Sequence, residues 1–175
     1  NNQYMKIRKG TTVSSIVKNN NVGADVRFIS GDVLSGTSTD IDKPLGYYDS
    51  ILSAIPEGKK RDFLGWITPG FDKYSLAPSF PSKLAGLKNY KADTLMNGSK
   101  RAIIPFGQIE SVLPMDIMPT FLLKAILARD FEEMENLGIY ECAPEDFALC
   151  SYADISKMEI SQIIQDGLDY VEAEG

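Results

Sequence analysis

Apolar residues recur along this chain in two rhythms. Up to about residue 70 they form short runs punctuated by Gly, Pro and Asn, and from about residue 111 they fall at helical spacing. The most apolar stretch is Leu113-Pro-Met-Asp-Ile-Met-Pro-Thr-Phe-Leu-Leu-Lys-Ala-Ile-Leu-Ala-Arg129, and it reads as a central helix. Between residues 121 and 128 the only charge is Lys124, so this helix is apolar nearly all round and is expected to be buried among other elements. Asp116 is the expected N-cap, and Pro119 fits the first turn, where a missing N–H costs no intrahelical bond.

Three shorter helices are expected around it. Asp130-Phe-Glu-Glu133 is an Asp version of the capping box; Phe131, Met134 and Leu137 then share a face, and Gly138 supplies the stop. Pro144-Glu-Asp-Phe-Ala-Leu-Cys150 opens with proline and two acids, suited to a positive helix N-terminus. Ser156-Lys-Met-Glu159 reads as a second capping box, leading into Ile160, Ile163, Ile164, Leu168 and Val171. The expected product is a compact helical bundle.

The first part reads as strands with one helix. Tyr4-Met-Lys-Ile-Arg8 alternates weakly like a strand, and Thr11 or Thr12 is placed to cap a short helix carrying Val13, Ile16 and Val17. Val26-Arg-Phe-Ile29 is a second strand, Ser30-Gly-Asp-Val-Leu-Ser-Gly36 a turn, and residues 37–43 a polar loop. Further strands are expected over residues 47–55 and 61–68, each stopped by a Pro/Gly pair, with Trp66 in the core. The fold class that follows is α+β: residues 1–70 as a small α+β domain whose element order fits a β-grasp, 71–110 as an irregular linker with a short extended segment at 101–107, and 111–175 as the bundle. Pro105 limits that extended segment to an edge.

Charge and composition narrow the chemistry. Lys and Arg number 18 against 24 Asp and Glu, a net charge of −6, and no basic run exceeds Lys59-Lys60-Arg61, which argues against nucleic acid as a main partner. No apolar run reaches the roughly 20 residues that cross a bilayer, and no signal peptide opens the chain, so it is expected to be soluble. It starts Asn1-Asn2-Gln3 rather than with Met, which suggests a fragment of a longer polypeptide.

Two cysteines, Cys142 and Cys150, fit a reducing compartment and are expected to be buried as small apolar residues. With no His in the chain, the common zinc, haem and Cys/His nucleophile sets cannot be assembled from it. The glycine pair at 31 and 36 invites a phosphate-cradle reading, but neither the Gly-x-Gly-x-x-Gly nor the Gly-Lys-Ser/Thr pattern is met, and a plain turn is favoured. Glu132, Glu133 and Glu135 read as a solvated helix face rather than a cation site. No catalytic, cofactor-binding or metal residue is assigned. Long loops on a rigid scaffold commonly carry binding, which leaves residues 37–43 and 105–114 as the candidate contact surface.

Five strings give a more specific pointer: Ser30-Gly-Asp-Val-Leu-Ser-Gly36, Leu64-Gly-Trp-Ile-Thr-Pro-Gly70, Leu113-Pro-Met-Asp-Ile-Met-Pro-Thr120, Glu145-Asp-Phe-Ala-Leu-Cys150 and the closing Glu172-Ala-Glu-Gly175. In this order they resemble the A-subunit of the bacterial sodium-translocating NADH:quinone oxidoreductase. The resemblance implies a C-terminal portion of that protein, made of a soluble-ligand-binding β-grasp module followed by a helical region. It implies no cofactor in this chain, with FAD, FMN, riboflavin and a 2Fe-2S centre on other subunits. The other subunits of the complex, and a quinone, are the implied partners. The implied place is the cytoplasmic face of the bacterial inner membrane, reached only through partner subunits. Members of the family often carry another Cys shortly after Ala-Leu-Cys150, where this chain has Tyr152-Ala-Asp-Ile-Ser156, a departure that weakens any cysteine-based role. Two other readings stand beside this one. A redox-active subunit of the complex I kind would need several closely spaced Cys, and a free-standing β-grasp ligand module would need no membrane partner.

Overall fold

The computed structural model describes residues 3–18, 23, 25–59, 63–65, 67–71, 73–74, 80–84 and 92–174. The chain divides into two compact units, residues 1–97 and 98–175, and mixes helix with a small antiparallel sheet.

The first unit opens with helix α1 (Val13–Val17), followed by strands β1 (Val26–Ser30), β2 (Thr37–Thr39) and β3 (Leu52–Pro56), and a one-turn helix α2 (Pro81–Leu84). Thr12 caps α1 from an extended backbone, as its hydroxyl chemistry suggests, although its side chain bonds the hydroxyls of Ser14 and Ser15 rather than a backbone amide. Strand β1 is central. It pairs antiparallel with β2, Ser30 opposite Thr37, and with β3, Val26 opposite Pro56 and Ser30 opposite Leu52. Pro56, with no N–H, ends β3, as a residue lacking a ladder donor should. Among the described residues of this unit, Val13, Ile16 and Ile29 are the buried apolar side chains.

Several expectations change here. Residues 4–8 form no strand and are exposed; among the described residues no strand lies alongside to complete a ladder. Residues 37–39, read as polar loop, form strand β2: an edge strand facing water needs no apolar alternation. The strand expected over 47–55 starts only at Leu52, since the backbone from Gly46 to Asp49 closes a turn through the Asp49 N–H and Gly46 carbonyl. Of the strand expected over 61–68, residues 63–65 and 67–68 are turns, with Leu64 at φ 53° and the Ile67 N–H bonded to the Leu64 carbonyl. Trp66 and residues 61–62 lie outside the described residues.

The second unit is helical: α3 (Gln108–Val112), α4 (Pro119–Ala128), α5 (Phe131–Asn136), α6 (Ala148–Ala153) and α7 (Ile160–Glu174), with 3-10 turns at Ile139–Glu141 and Pro144–Phe147. Helix α4 is the centre that its composition implies. Leu122, Leu123, Ala125 and Ile126 are buried, while Lys124 stays exposed, and α3, α5 and α7 pack on it. Met134, Ile139, Phe147, Cys150, Ile160 and Ile164 complete a continuous apolar core. Thr120, nearly buried, donates its hydroxyl to the Glu110 carboxylate at 2.6 Å, which ties α4 to α3.

Helix ends follow local chemistry, with two corrections. The N-cap of α4 is Met118, not Asp116; Pro119 sits at N1 and its ring restrains Met118 to a non-helical backbone (ψ 75°). The α4 C-terminus closes on Arg129 in the left-handed region (φ 56°), with the Asp130 N–H bonded to the Ala125 carbonyl. Asp130 then caps α5, accepting from the Glu133 N–H at 3.1 Å, and Gly138 (φ 85°) follows its end. Ser156, the expected cap of α7, has no such role. The buried Asp154 carboxylate accepts from the Ser156 and Met158 N–H groups at 3.1 and 3.0 Å, Lys157 turns at φ 60°, and the Glu159 carbonyl accepts the first bond of α7, from Ile163. Residues 101–106 have no assigned secondary structure; the Arg101 N–H bonds the Ser156 carbonyl instead of a sheet edge. Among the described residues no helix is long and apolar enough to cross a membrane.

Candidate functional site

In the first unit the glycine turn between β1 and β2 is closed on its own carboxylate. Asp32 accepts from the N–H groups of Leu34 and Ser35 at 2.6 and 2.8 Å and from the Ser35 hydroxyl at 2.6 Å. The Ser35 hydroxyl and amide, with that of Leu34, hold the Asp32 carboxyl below the usual range. These are the donors that a phosphate would need, and an anion there would meet a carboxylate, so the turn is no phosphate cradle. Gly36 is required by space: a side chain would strike the carbonyl oxygens of Asp32 and Ser30 and the Ile29 side chain.

A second turn locks against the first. The buried Ser30 hydroxyl donates to Asp49 at 2.5 Å and accepts from the Gly46 N–H at 2.8 Å, while the Gly31 N–H bonds the Ile51 carbonyl at 2.9 Å. This knot presents Tyr47 and Tyr48, an edge-to-face pair with centroids 5.0 Å apart. Both rings are exposed, and the Lys9 ammonium lies 3.8 Å from the Tyr47 centroid. The sequence holds a signal for this cluster in its Tyr47-Tyr48 doublet, which reads as the start of a strand when only alternation is considered.

The two stretches expected as contact surface lie one in each unit. Residues 37–43 are half strand; Lys43 pairs with Asp40 at 2.8 Å, which raises the lysine pKa, and the Ile41 and Lys43 carbonyls accept from Ser14 and Val13. Residues 105–114 hold α3, with Phe106 exposed and Ile109 and Leu113 buried.

In the second unit both cysteines belong to the core. Cys142 and Cys150 are buried and free, their sulfurs against the carbonyls of Gly138 and Ile109 at 3.5 and 3.9 Å. Burial pushes both thiols up to about 11, helped at Cys142 by Glu141 and Asp146 and at Cys150 by Glu110. That matches the reading of both as small core residues. Glu132, Glu133 and Glu135 lie on the exposed face of α5, as their spacing suggests; Glu135 accepts the Tyr140 hydroxyl at 2.7 Å and thereby raises its pKa. Between the end of α4 and α7 runs a shallow cavity of about 220 Å³ lined by Ile126, Leu127, Arg129, Ile163, Asp166 and Tyr170, with the Arg129 guanidinium 5.8 Å from the Tyr170 ring. No sequence motif marks this hollow, because its members come from two helices far apart in the chain.

What the described residues present is exposed surface, the Tyr47–Tyr48 pair above all. Known proteins give that surface a context. A family model described as the NQRA C-terminal domain matches residues 1–40. Proteins named as the A-subunit of the Na(+)-translocating NADH-quinone reductase align with 99% of this chain: that of Tolumonas auensis at 37% identity and that of Hahella chejuensis at 38%, each over 174 residues, and that of Rhodopirellula baltica at 37% over 175. Along nearly its whole length the chain is thus similar to A-subunits of the Na(+)-translocating NADH-quinone reductases. It spans about two-fifths of the length of these relatives, 38–39% of each. The resemblance carried by the five sequence strings is thus borne out, and the aligned region includes both units described above.

Proposed function

We propose that this chain serves a respiratory sodium-translocating NADH:quinone oxidoreductase as a contact subunit with no redox centre of its own. The observation that carries the reading is the 36–38% identity along 99% of the chain to proteins bearing the A-subunit's name. The enzyme activity belongs to the assembled complex, and FAD, FMN, riboflavin and a 2Fe-2S centre sit on other subunits. The chain's own chemistry supports this: its two cysteines are eight positions apart, each buried against a different carbonyl, and do not fit a cluster that needs four thiolates.

In this reading the first unit is a β-grasp of the soluble-ligand-binding type, supported by the SLBB label of the matching family model and by a helix preceding an antiparallel sheet. The second is a helical bundle around α4. The partners are the other subunits of the complex, on the cytoplasmic side of the bacterial inner membrane, with a quinone as a further candidate. Contact falls on residues 37–43 and 105–114, where Ile41 and Phe106 are exposed.

The test is assembly. The full-length protein bearing this region is co-expressed with its partner subunits and purified through a tag on it, with Ile41→Ser and Phe106→Ser as probes. The expected result is that flavin-bearing membrane proteins co-purify with the unaltered protein and are lost from the double variant, while the melting temperature of the isolated 175-residue chain stays unchanged. Normal assembly of the variant with slowed quinone reduction would replace the contact role by a quinone-facing one.

A further inference from the structure

The charge of this chain is unevenly spread. Its net charge is −6, yet up to Gly23 it carries Lys6, Arg8, Lys9 and Lys18 and no acid. Lys6, Arg8 and Lys9 belong to an exposed segment that also presents Tyr4, fully exposed, with Met5 and Ile7. This segment is anchored at its end. The Thr11 N–H and hydroxyl both bond the Arg8 carbonyl, the Val13 N–H bonds the Lys43 carbonyl, and Lys9 stands over Tyr47 at 3.8 Å and Tyr48 at 5.9 Å. Among the described residues none of the three cations pairs with a carboxylate. The acids closest to the tyrosines in sequence are largely engaged: Asp40 pairs with Lys43, Asp49 takes the Ser30 hydroxyl, and Asp42 remains.

We propose that Lys6, Arg8 and Lys9, together with the Tyr47–Tyr48 pair, form a direct contact with an anionic lipid surface. Cations without a carboxylate partner among the described residues, one of them over a protruding ring, suit an interface that is negatively charged at the headgroups and apolar just beneath. Tyr48 is 92% exposed, so these rings stand out from the fold instead of lining a recess. A fluid interface takes such rings without a complementary shape, which a protein partner would have to supply. At physiological ionic strength screening over about 8 Å lets this patch act apart from the acidic remainder of the chain. The contact is additional to docking through partner subunits and does not depend on it.

The test is flotation of the full-length protein bearing this region with vesicles of phosphatidylcholine alone, or with roughly one-third phosphatidylglycerol, at low and physiological salt. Binding is expected only with the anionic lipid, weakening as salt rises. K6Q/R8Q/K9Q should lower partitioning by more than about tenfold, and Y47S/Y48S should lower it as well. R101Q/K124Q/K157Q, an equal charge change in the other unit, should leave it unchanged. No binding to anionic vesicles, equal binding to neutral ones, or equal loss in the two triple variants would overturn the proposal. Capture of a purified acidic partner protein through this patch without vesicle binding would overturn it in favour of a protein contact.

Discussion

Gly167 of α7 lies so close to Ile126 of α4 that a Cβ on the glycine would stand 2.9 Å from Cγ1 and Cδ1 of the isoleucine and 3.0 Å from its Cγ2. Rotation about the Ile126 χ1 cannot clear this contact, since two γ carbons occupy two of three staggered positions and at least one of the facing places stays filled. A glycine in the middle of a fifteen-residue helix costs about 1 kcal/mol in helix propensity, and close packing on α4 is what that cost secures. Gly167→Ala is therefore expected to destabilise by about 1 to 2 kcal/mol, overpacking exceeding the propensity gain. In an Ile126→Ala background the same substitution should cost less, or stabilise, in urea unfolding; additive effects would mean the two positions do not meet.

Leu122 is fully buried and Ile126 nearly so, while Lys124 between them faces solvent. Truncating either apolar residue to alanine should cost about 2 to 5 kcal/mol, and Lys124→Ala should move the urea midpoint hardly at all. Three equal small effects would put α4 outside the core.

Asp154 holds the turn into α7 by accepting two backbone N–H groups while nearly buried. Asp154→Ala leaves those donors unsatisfied and should destabilise by about 1 to 3 kcal/mol. Ser156→Ala should be far milder, and the reverse order would restore Ser156 as the cap.

Acid should act through Asp32. Its folded pKa lies below its unfolded one, so its stabilisation is complete above the unfolded value and fades as pH falls through the folded value. Asp32→Asn should thus lower the melting temperature at neutral pH, with the gap to the unaltered chain closing in strong acid. A gap that widened on acidification would contradict the hydrogen-bond assignment.

Both thiols, raised to about 11 by burial, should resist alkylation at neutral pH and react only as fast as the second unit opens. Fast labelling of either in the folded protein, followed by mass spectrometry, would show that it is accessible.

How far the sequence could be read depended on how local each determinant is. Asp130 was legible as a cap because donor and acceptor sit three residues apart, and α4 because its composition alone demands burial. Ser156 misled for the same reason: the motif is local, but Asp154 two residues earlier takes the Ser156 and Met158 amides and sets the turn itself. Strand β2 was hidden since Thr37–Thr39 owes its conformation to β1, not to its own pattern. The tyrosine pair was visible as residues but not as a surface, because the turn that exposes it is made by Ser30, sixteen and nineteen positions from its partners Gly46 and Asp49.

The joint between α4 and α5 consists of two residues with no slack. Arg129 and Asp130 close α4 through the carbonyls of Ala125 and Ile126, and the same Asp130 side chain starts α5 by accepting from Glu133. Fraying of the last turn of one helix therefore removes the first turn of the next. The amides of Arg129, Asp130 and Glu133 should exchange with deuterium at one common rate, as a single opening event, so that these two short helices count as one mechanical part of the chain.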